Sequence, residues 1–276
     1  MLLSDIDFAY ACILQEGWDG ENKSALQGMF EFGPEGCFLL EERGVRVGVC
    51  VAVKYAHSGF IGDLIVLNEF RGKGYGTQLF QHSVNYMESQ GITNLYLDAA
   101  LAAVPIYERE GFRTVDRSLR FIGTVPGKPH AHVRPFQPTD LRQIITMDRK
   151  YFGDDRSFFL TRNGTFYPEY CFVFEKNDAI GGFIMGHPGI GVLTVGPWVV
   201  WDETVDPWQL LESLVHYYGD KPLRIGALEK HQNTVARLRN STSFRERVPC
   251  LRMVLGSTEN VGSHPALISI GSGAKG

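Results

Sequence analysis

The most constraining feature of this 276-residue chain is that part of its sequence recurs at an offset of 134 residues. Residues 37–69 align without a gap to residues 171–203, and the two stretches begin CFLLE and CFVFE. Seven of the 33 aligned positions are identical, where composition alone would give roughly two. Further on, residues 111–123 are similar to residues 243–256 at nearly the same offset. The repeat predicts a duplicated domain.

The segment between the two copies is rich in proline. Residues 124–138 read TVPGKPHAHVRPFQP. Each proline removes a backbone hydrogen-bond donor, which disfavours regular structure. We therefore expect a linker here, and two domains at residues 1–127 and 128–276.

Both copies show the same order of secondary-structure signals. A helical stretch, at about 4–16 or about 139–151, precedes a predicted hairpin whose polar turn reads EERG in the first copy and EKND in the second. A third apolar strand then ends at Val66 or Val200.

The rest of the first copy alternates between helix and strand. The segment 76–91 has apolar residues at helical spacing and ends at a glycine, so an amphipathic helix is predicted. A strand in NLYLDA, a helix around PIYERE and strand material from Phe112 to Ile122 follow. The pattern predicts an α+β fold with a mixed sheet.

Composition excludes several classes of protein. A net charge of −4 and a pI near 6.1 argue against broad attraction to nucleic acid or an anionic membrane. The sequence has no signal-peptide pattern and no run of 18 apolar residues, which predicts a cytoplasmic protein. Its five cysteines are widely spaced and form no CxxC pair, so neither a disulfide framework nor a metal site is expected.

A glycine-rich turn separates the third strand of the first copy from the following helix. It lies in NEFRGKGYGTQLF, residues 68–80. Such a turn can present backbone N–H groups at the positive end of a helix dipole, where phosphate oxygens bind. Its spacing matches neither the P-loop nor the dinucleotide motif GxGxxG. Spacing alone leaves a phosphate site and a plain tight turn as alternatives.

Two motifs in this region resemble signatures of the GNAT superfamily of acetyl-CoA-dependent N-acetyltransferases. RGKGYG is similar to the signature [RQ]xxGx[GA], and IYEREGF, about 35 residues later, is similar to the second signature. The resemblance covers residues 1–123 and implies a catalytic acetyl-CoA-binding domain. The second half resembles a degenerate C-terminal GNAT-like domain, whose counterpart of the glycine loop, VDPWQL at 205–210, has no glycine.

The resemblance implies two tandem GNAT-like domains, each with a mixed, mostly antiparallel sheet flanked by helices. It also implies that a loop and a strand bind the coenzyme. The loop residues would contact the pyrophosphate: Arg71, Gly72, Lys73, Gly74, Tyr75, Gly76 and Thr77. The main chain of the strand would pair with the pantetheine arm: Leu64, Ile65 and Val66. Lys73 and Tyr75 could equally be solvent-facing residues, and the strand side chains ordinary core.

Tyr107 matches the family tyrosine that protonates the departing thiolate of coenzyme A. A phenol is protonated at neutral pH and can donate this proton. The alternative is a half-buried aromatic residue that packs a helix onto the sheet. The corresponding residue of the second copy is Arg239, and the position where the family often has a pantetheine-contacting asparagine is Ala100.

The acceptor amine must lose a proton before it can attack a thioester, so the site needs a base or a water chain. Asp63, on the same strand as Val66, is the best-placed carboxylate, and Asp98 at the end of the next strand is the second. Either could instead make a structural hydrogen bond. Trp18 lies where the family shapes the acceptor pocket, although it could also be a core anchor.

The second copy contains a group of tryptophans around its counterpart of the glycine loop: Trp198, Trp201 and Trp208. One hypothesis is that this domain closes over the acceptor cleft of the first and supplies selectivity. The other is that the tryptophans only cement the interface between the domains, since aromatic residues bury a large area.

The leading functional hypothesis is transfer of an acetyl group from acetyl-CoA to a primary amine of a small metabolite, by direct attack in a ternary complex. A protein lysine or N-terminus is an alternative acceptor, and a non-catalytic acyl-CoA sensor is the third reading. No metal, nucleic-acid or membrane partner is expected, and a homodimer is possible. The glycine-rich segment 256–276 is interpreted either as a loose tail or as a final strand laid on a neighbour.

Overall fold

The computed structural model describes residues 1–219, 221–257 and 261–276. Its helices are α1 (Ile6–Gln15), α2 (Lys23–Phe32), α3 (Tyr75–Ser89), α4 (Val104–Arg109), α5 (Leu141–Phe152), α6 (Ser157–Phe166), α7 (Trp208–Tyr218) and α8 (Gln232–Asn240). Its strands are β1 (Cys37–Glu42), β2 (Val45–Lys54), β3 (Gly59–Val66), β4 (Leu95–Ala99), β5 (Arg113–Gly123), β6 (Val133–Pro135), β7 (Phe172–Lys176), β8 (Ala179–Pro188), β9 (Leu193–Val200), β10 (Leu223–Leu228), β11 (Phe244–Glu246), β12 (Cys250–Leu255) and β13 (Leu267–Ser269).

These elements form two compact units, and each unit is discontinuous in sequence. Of the described residues, unit 1 comprises 1–116, 250–257 and 273–276, and unit 2 comprises the remainder. The division predicted at residue 127 stays a prediction about the boundary of the sequence repeat. Each compact unit contains residues from both sides of that position.

Unit 1 has strands in the order β1-β2-β3-β4-β12. β1, β2 and β3 form antiparallel neighbours, β3 and β4 run parallel, and β12 lies antiparallel to β4. The parallel pair is short, because the register joins only Gly59 to Leu95 and Phe60 to Tyr96. β3 and β4 therefore separate after their first two paired residues.

Unit 2 repeats this plan with strands in the order β5-β10-β9-β8-β7-β6. β9 and β10 are its parallel pair, in register from Leu193 with Leu223 to Val195 with Ile225. β13 lies antiparallel to β9 beyond that point, at Leu267 with Val199. The mixed, mostly antiparallel α+β architecture predicted for both copies is confirmed.

The final strand of each sequence copy belongs to the other unit. Residues 118–123 of β5, from the first copy, pair with β10 in unit 2. β12, from the second copy, pairs with β4 in unit 1. The two units have exchanged equivalent strands.

The predicted amphipathic helix is α3, and its apolar face packs against the sheet of unit 1. The buried residues of that face include Leu79, Phe80, Val84 and Met87, as the spacing predicts. Phe80 and Met87 have no exposed surface. Truncating a fully buried aromatic residue such as Phe80 to alanine costs about 3–5 kcal/mol, so this face positions α3 firmly.

Two sequence expectations need correction or completion. The proline-rich segment is not wholly irregular, because β6 forms within it and pairs with β7 from Val133 with Phe174 to Pro135 with Phe172. β6 lies at the edge of its sheet, where a proline is tolerated. The glycine-rich segment 256–276 contains the strand β13, so the strand interpretation is the correct one for that part.

Candidate active site

The glycine loop between β3 and α3 has the backbone of an anion cradle. Gly72 and Gly74 have φ angles of 76° and 85°, in the left-handed region that favours glycine. A Cβ built on either residue meets no heavy atom within 4 Å, so both face open space. The first helical bond runs from Gln78 N–H to the Gly74 carbonyl at 3.0 Å, and the N–H groups before it have no partner within the helix. This geometry fits a diphosphate.

The two cations of the loop differ in their surroundings. Arg71 Nε donates to the Val66 carbonyl at 2.8 Å, and its guanidinium also pairs with Glu16 at the end of α1. Lys73 Nζ lies 5.2 Å from the centre of the Phe70 ring. Arg71 therefore ties the loop to the end of β3. Its predicted charge contribution to pyrophosphate binding stays a prediction.

β3 contains a bulge beyond the two residues that pair with β4. Val51 of β2 faces Gly62, while Val49 faces Ile65, so β3 has one residue more than β2 between these pairs. Asp63 within this bulge has a φ angle of 49°, which is uncommon for a residue other than glycine. Bulges re-aim side chains and main-chain groups. The predicted contacts of Leu64, Ile65 and Val66 with pantetheine fall on this irregular part of the strand.

The Asp63 carboxyl group has an unusual electrostatic environment. Its side chain is 7% exposed, and within the described part of the chain Oδ2 has no hydrogen-bond partner. The pKa of Asp63 is raised to about 7, because burial and the nearby Glu21 raise it by more than Lys275 lowers it. A carboxyl group with this pKa can accept a proton near neutral pH. The predicted base therefore has a suitable pKa.

Tyr107 lies on α4 and is buried against α3. Its ring centre is 4.8 Å from that of Phe80, in an edge-on arrangement, and the residue is 8% exposed. Burial raises the pKa of the Tyr107 phenol, and the nearby thiols Cys50 and Cys250 raise it further. The phenol therefore remains protonated and can act only as a proton donor. Packing and proton donation are compatible roles for this residue.

Asp98 and Trp18, the predicted acceptor-side residues, have different environments. Asp98 Oδ1 lies 2.5 Å from Arg252 Nε of β12, and both side chains are almost completely buried. This ion pair gives Asp98 a structural role, which was the alternative to its role as a base. Trp18 is half-buried in the loop between α1 and α2. Its backbone N–H donates to the Ile13 carbonyl at 3.3 Å.

Three residues in this part of unit 1 were not predicted from the sequence: Glu21, Tyr55 and Lys275. Glu21 lies three positions after Trp18, and its closeness to a predicted acceptor-side residue was the only sequence feature that could have indicated it. Tyr55 Oη donates to the Lys275 carbonyl at 2.6 Å, across 220 positions of sequence. Local sequence gives no indication that Lys275 lies in this part of unit 1.

The equivalent positions of unit 2 are closed. Asp206 Oδ1 accepts from the Trp208 N–H at 3.1 Å, so a side-chain carboxylate occupies the start of α7. The hydroxyl oxygen of Ser269 in β13 lies 2.8 Å from the carbonyl oxygens of both Val195 and Gly226, so its single proton can be donated to either, and the side chain lies between β9 and β10. Arg239, the counterpart of Tyr107, binds glutamates at the surface.

Two of the three tryptophans of the second copy have a structural role inside their own unit. Trp198 is fully buried and Trp208 is 7% exposed, and both belong to the hydrophobic core of unit 2. Their ring centres are 5.4 Å apart. They stabilise the interior of their own unit.

Comparison with known families gives two matches. The model of the acetyltransferase (GNAT) family matches residues 4–112, and a second acetyltransferase (GNAT) domain model matches residues 144–267. The chain belongs to the GNAT family. Its two GNAT domains are arranged in tandem, so the resemblance noted from the sequence is confirmed.

Solved structures support the fold of this GNAT protein over nearly its whole length. A crystal structure from Pyrococcus horikoshii has a TM-score of 0.82 at 21% identity, and the match covers 99% of this chain and 93% of that chain. A tandem GNAT protein from the clavulanic acid biosynthesis pathway has a TM-score of 0.63 at 12% identity, with 91% and 94% covered. At these identities the likeness concerns the fold alone.

Curated relatives match shorter stretches. Mycothiol acetyltransferase of Streptomyces avermitilis is 36% identical over 96 residues, which is 33% of this chain and 31% of the relative. N-alpha-acetyltransferase 30 of Schizosaccharomyces pombe is 29% identical, over 32% of this chain and 64% of the relative. Glucosamine 6-phosphate N-acetyltransferase of Trypanosoma brucei brucei is 34% identical, over 22% and 42%. The GNAT chain thus spans between 31% and 64% of the length of these relatives.

Two further properties concern the described residues only. None of their helices has the length and apolar character needed to cross a membrane. Among the same residues, no group of three or more histidine, cysteine, aspartate or glutamate side chains is placed to hold a metal ion.

Proposed function

We propose that this GNAT protein is an N-acetyltransferase that moves an acetyl group from acetyl-CoA to a primary amine of a small metabolite, and that unit 1 carries the site. The observation that carries the proposal is Asp63. It is a buried carboxyl group with a pKa near 7, located in a bulge of the strand that opens away from its parallel neighbour. Perturbed carboxyl groups of this kind are typical of catalytic bases.

Acetyl-CoA would supply an activated acetyl thioester when bound. The N–H groups of the loop from Gly72 to Thr77 would hold its diphosphate, because they lie at the start of α3 and have no intrahelical partner. The main chain from Leu64 to Val66 would hold the pantetheine arm. The second candidate residue set, the start of α7 in unit 2, is occupied by Asp206, so unit 2 is not proposed to bind the coenzyme.

The two titratable groups of unit 1 have complementary tasks in this proposal. Asp63 Oδ2 accepts a proton from the acceptor ammonium and leaves a neutral amine that can attack in a ternary complex. Tyr107 Oη donates its proton to the departing sulfur. Their environments support this division, because Asp63 can ionise near neutral pH while burial keeps Tyr107 protonated.

A second candidate acceptor is a protein N-terminus or lysine. The resemblance to N-alpha-acetyltransferase 30 supports it, whereas the resemblance to mycothiol and glucosamine 6-phosphate acetyltransferases supports a metabolite. We favour the metabolite because Asp63 and Glu21 are largely enclosed, which suits a small cation better than a broad polypeptide surface. The cytoplasmic location and the homodimer predicted from the sequence stay predictions.

The test combines a binding measurement with a turnover measurement. Calorimetry should detect acetyl-CoA binding to the full chain, and release of free thiol should be measured with a panel of alkylamines, amino sugars and lysine-containing peptides. Turnover with small amines but not with peptides is expected. Binding without turnover on any acceptor would favour the sensor reading, and no binding of acetyl-CoA would contradict the proposal.

A further inference from the structure

A short segment near the end of the sequence lies between the separating strands of unit 1. Ala274 is 5% exposed and lies against Gly62 of β3, so closely that a Cβ built on Gly62 would be 2.3 Å from the Ala274 Cβ. Gly273 lies against Asp98 of β4, and a Cβ built on Gly273 would be 2.9 Å from the Asp98 Cβ. Residues 273–276 therefore occupy space between the strands that the proposed site uses.

Lys275 within this segment carries its ammonium group to the carboxylates of the site. Nζ lies 3.8 Å from Glu21 Oε2, and the two side chains are 13% and 12% exposed. The same ammonium lowers the pKa of Asp63, whereas Glu21 raises it. The Lys275 carbonyl accepts a hydrogen bond from Tyr55 Oη, which fixes the backbone of the segment beside β2. One primary ammonium thus pairs with Glu21 and acts electrostatically on Asp63, two enclosed carboxyl groups.

We propose that Lys275 is an internal occupant of the acceptor site, and that the acceptor it stands in for is a linear aliphatic primary amine that displaces residues 273–276. The inference rests on the proposed function, since it places the acceptor beside Asp63. Lysine presents a primary ammonium on an unbranched chain of four methylene groups, so the space it fills fits an alkylammonium ion of similar length.

The charge of the site explains why the occupant is a cation. Two carboxyl groups held close together and away from water repel each other, and an ammonium ion relieves this repulsion. A neutral or anionic acceptor would displace Lys275 without replacing its charge. The site should therefore discriminate in favour of cationic amines even before acetyl-CoA is considered.

Because Lys275 is covalently attached to the chain, a free amine must compete with it, and this competition determines the amine concentration that the experiment needs. A group tethered to its own site competes as though present at about millimolar concentration or above. Free amines should therefore bind weakly to the native chain and more tightly when Lys275 is shortened. This difference separates an internal occupant from an ordinary structural ion pair.

The test uses n-butylamine hydrochloride as the probe, without acetyl-CoA. In the variant Lys275→Ala, 10 mM n-butylamine should raise Tm by about 3 °C, which corresponds to a probe at roughly ten times its Kd. The native chain and the control Lys54→Ala, which removes an exposed lysine of β2, should respond at least threefold less. Lys275→Met fills the same space without charge and should abolish the response.

A second measurement covers the case in which Lys275→Ala does not fold. In the native chain, hydrogen exchange at residues 273–276 should accelerate at least threefold in 50 mM n-butylamine, and Glu21→Gln should reduce this effect. Equal responses in Lys275→Ala and Lys54→Ala, or exchange at residues 273–276 that is insensitive to the amine, would overturn the proposal.

Failure of this inference can be told apart from failure of the proposed function. If the chain binds acetyl-CoA and acetylates amines but n-butylamine neither stabilises Lys275→Ala nor releases residues 273–276, the enzyme proposal stands and the internal occupant is wrong. If n-butylamine gives both effects but acetyl-CoA does not bind, the ammonium site stands and the acetyltransferase proposal fails.

Discussion

Arg252 of β12 and Asp98 of β4 form an ion pair whose Nε–Oδ1 distance is 2.5 Å and whose side chains are 2% and 3% exposed. The guanidinium also lies over the Phe60 ring of β3, with 5.6 Å between Cζ and the ring centre. β12 comes from the second sequence copy, so this pair secures the exchanged strand to the sheet of unit 1.

Replacing Arg252 by methionine should destabilise the chain strongly. The buried Asp98 carboxylate would lose the opposite charge of Arg252, and breaking a buried ion pair typically costs about 3–5 kcal/mol. Arg117→Met is the matched control, because its partner is Glu229 and the two side chains are 45% and 32% exposed; such a pair contributes at most about 1 kcal/mol. Chemical denaturation measures both losses. Similar small losses in the two variants would show that the buried pair does not secure β12.

Substituting Gly74 by alanine should weaken acetyl-CoA binding by at least about 10-fold. The φ angle of 85° strains any residue with a Cβ by about 1–2 kcal/mol, and the new methyl group points into the open space assigned to the diphosphate. Gly44→Ala is a close control, because Gly44 has a φ angle of 80°, equally open surroundings and a position in the turn between β1 and β2. Calorimetric titration should show a loss of affinity for Gly74→Ala only. Equal affinities would argue against the loop as the diphosphate site.

Tyr107→Phe should lower kcat by about 100-fold or more while acetyl-CoA still binds. The substitution removes the proposed proton donor, and general acids contribute typically about 10²–10⁴-fold. The ring contact with Phe80 is retained, so the fold should be preserved. Tyr86→Phe, on the face of α3 that packs against Phe38, is the control. A normal kcat for Tyr107→Phe, measured by thiol release, would leave Tyr107 with a packing role alone.

Asp63 should produce a pH dependence of stability that Asp63→Asn removes. Its pKa rises from 3.8 to about 7 on folding, so the folded state holds more protons between these values and the free energy of unfolding falls as pH rises through this range. The charged and titratable groups around it are Glu21, Lys275, Cys37 and Cys50. Denaturation at pH 4.5 and 7.5 should show a smaller drop for the variant than for the native chain.

The same group should control activity in the opposite direction. As a base, Asp63 must be ionised in the free protein, so kcat/KM should rise as pH passes through about 7. Asp63→Asn should abolish this rise and most of the turnover. An unchanged pH profile in the variant would exclude Asp63 as the base and favour a water chain.

One molecule of acetyl-CoA should bind per chain. Unit 2 lacks the left-handed glycines of the loop, Asp206 occupies the start of α7, and the Ser269 side chain lies between β9 and β10. Calorimetry should give a stoichiometry of one, and Gly74→Ala should weaken the single binding event and leave no second, unaffected one. A stoichiometry of two would contradict the assignment of unit 2 as degenerate.

Local sequence was sufficient for the elements that periodicity and turn chemistry determine. β3 and β9 end at Val66 and Val200, as expected from apolar runs followed by polar residues, and α3 has its predicted apolar face. The exchange of β5 and β12 could not be predicted, because the two strands have similar sequences and neither distinguishes its partner sheet.

The contact of Lys275 with the site shows a different reason why sequence reasoning falls short. A lysine in a glycine-rich segment has no periodicity, no motif and no neighbouring charge that would assign it a location. Its position depends on the path of the chain through both units, which only the folded structure reveals.

The strand exchange also bears on how this duplicated protein can evolve. Deleting the second copy would take β12 with it and expose the edge of β4, and deleting the first would deprive β10 of β5. Once the strands had been exchanged, a deletion that removed either copy would also remove a strand from the other unit's sheet. The second copy would therefore be retained even without catalytic activity, because it supplies a strand to the sheet of unit 1.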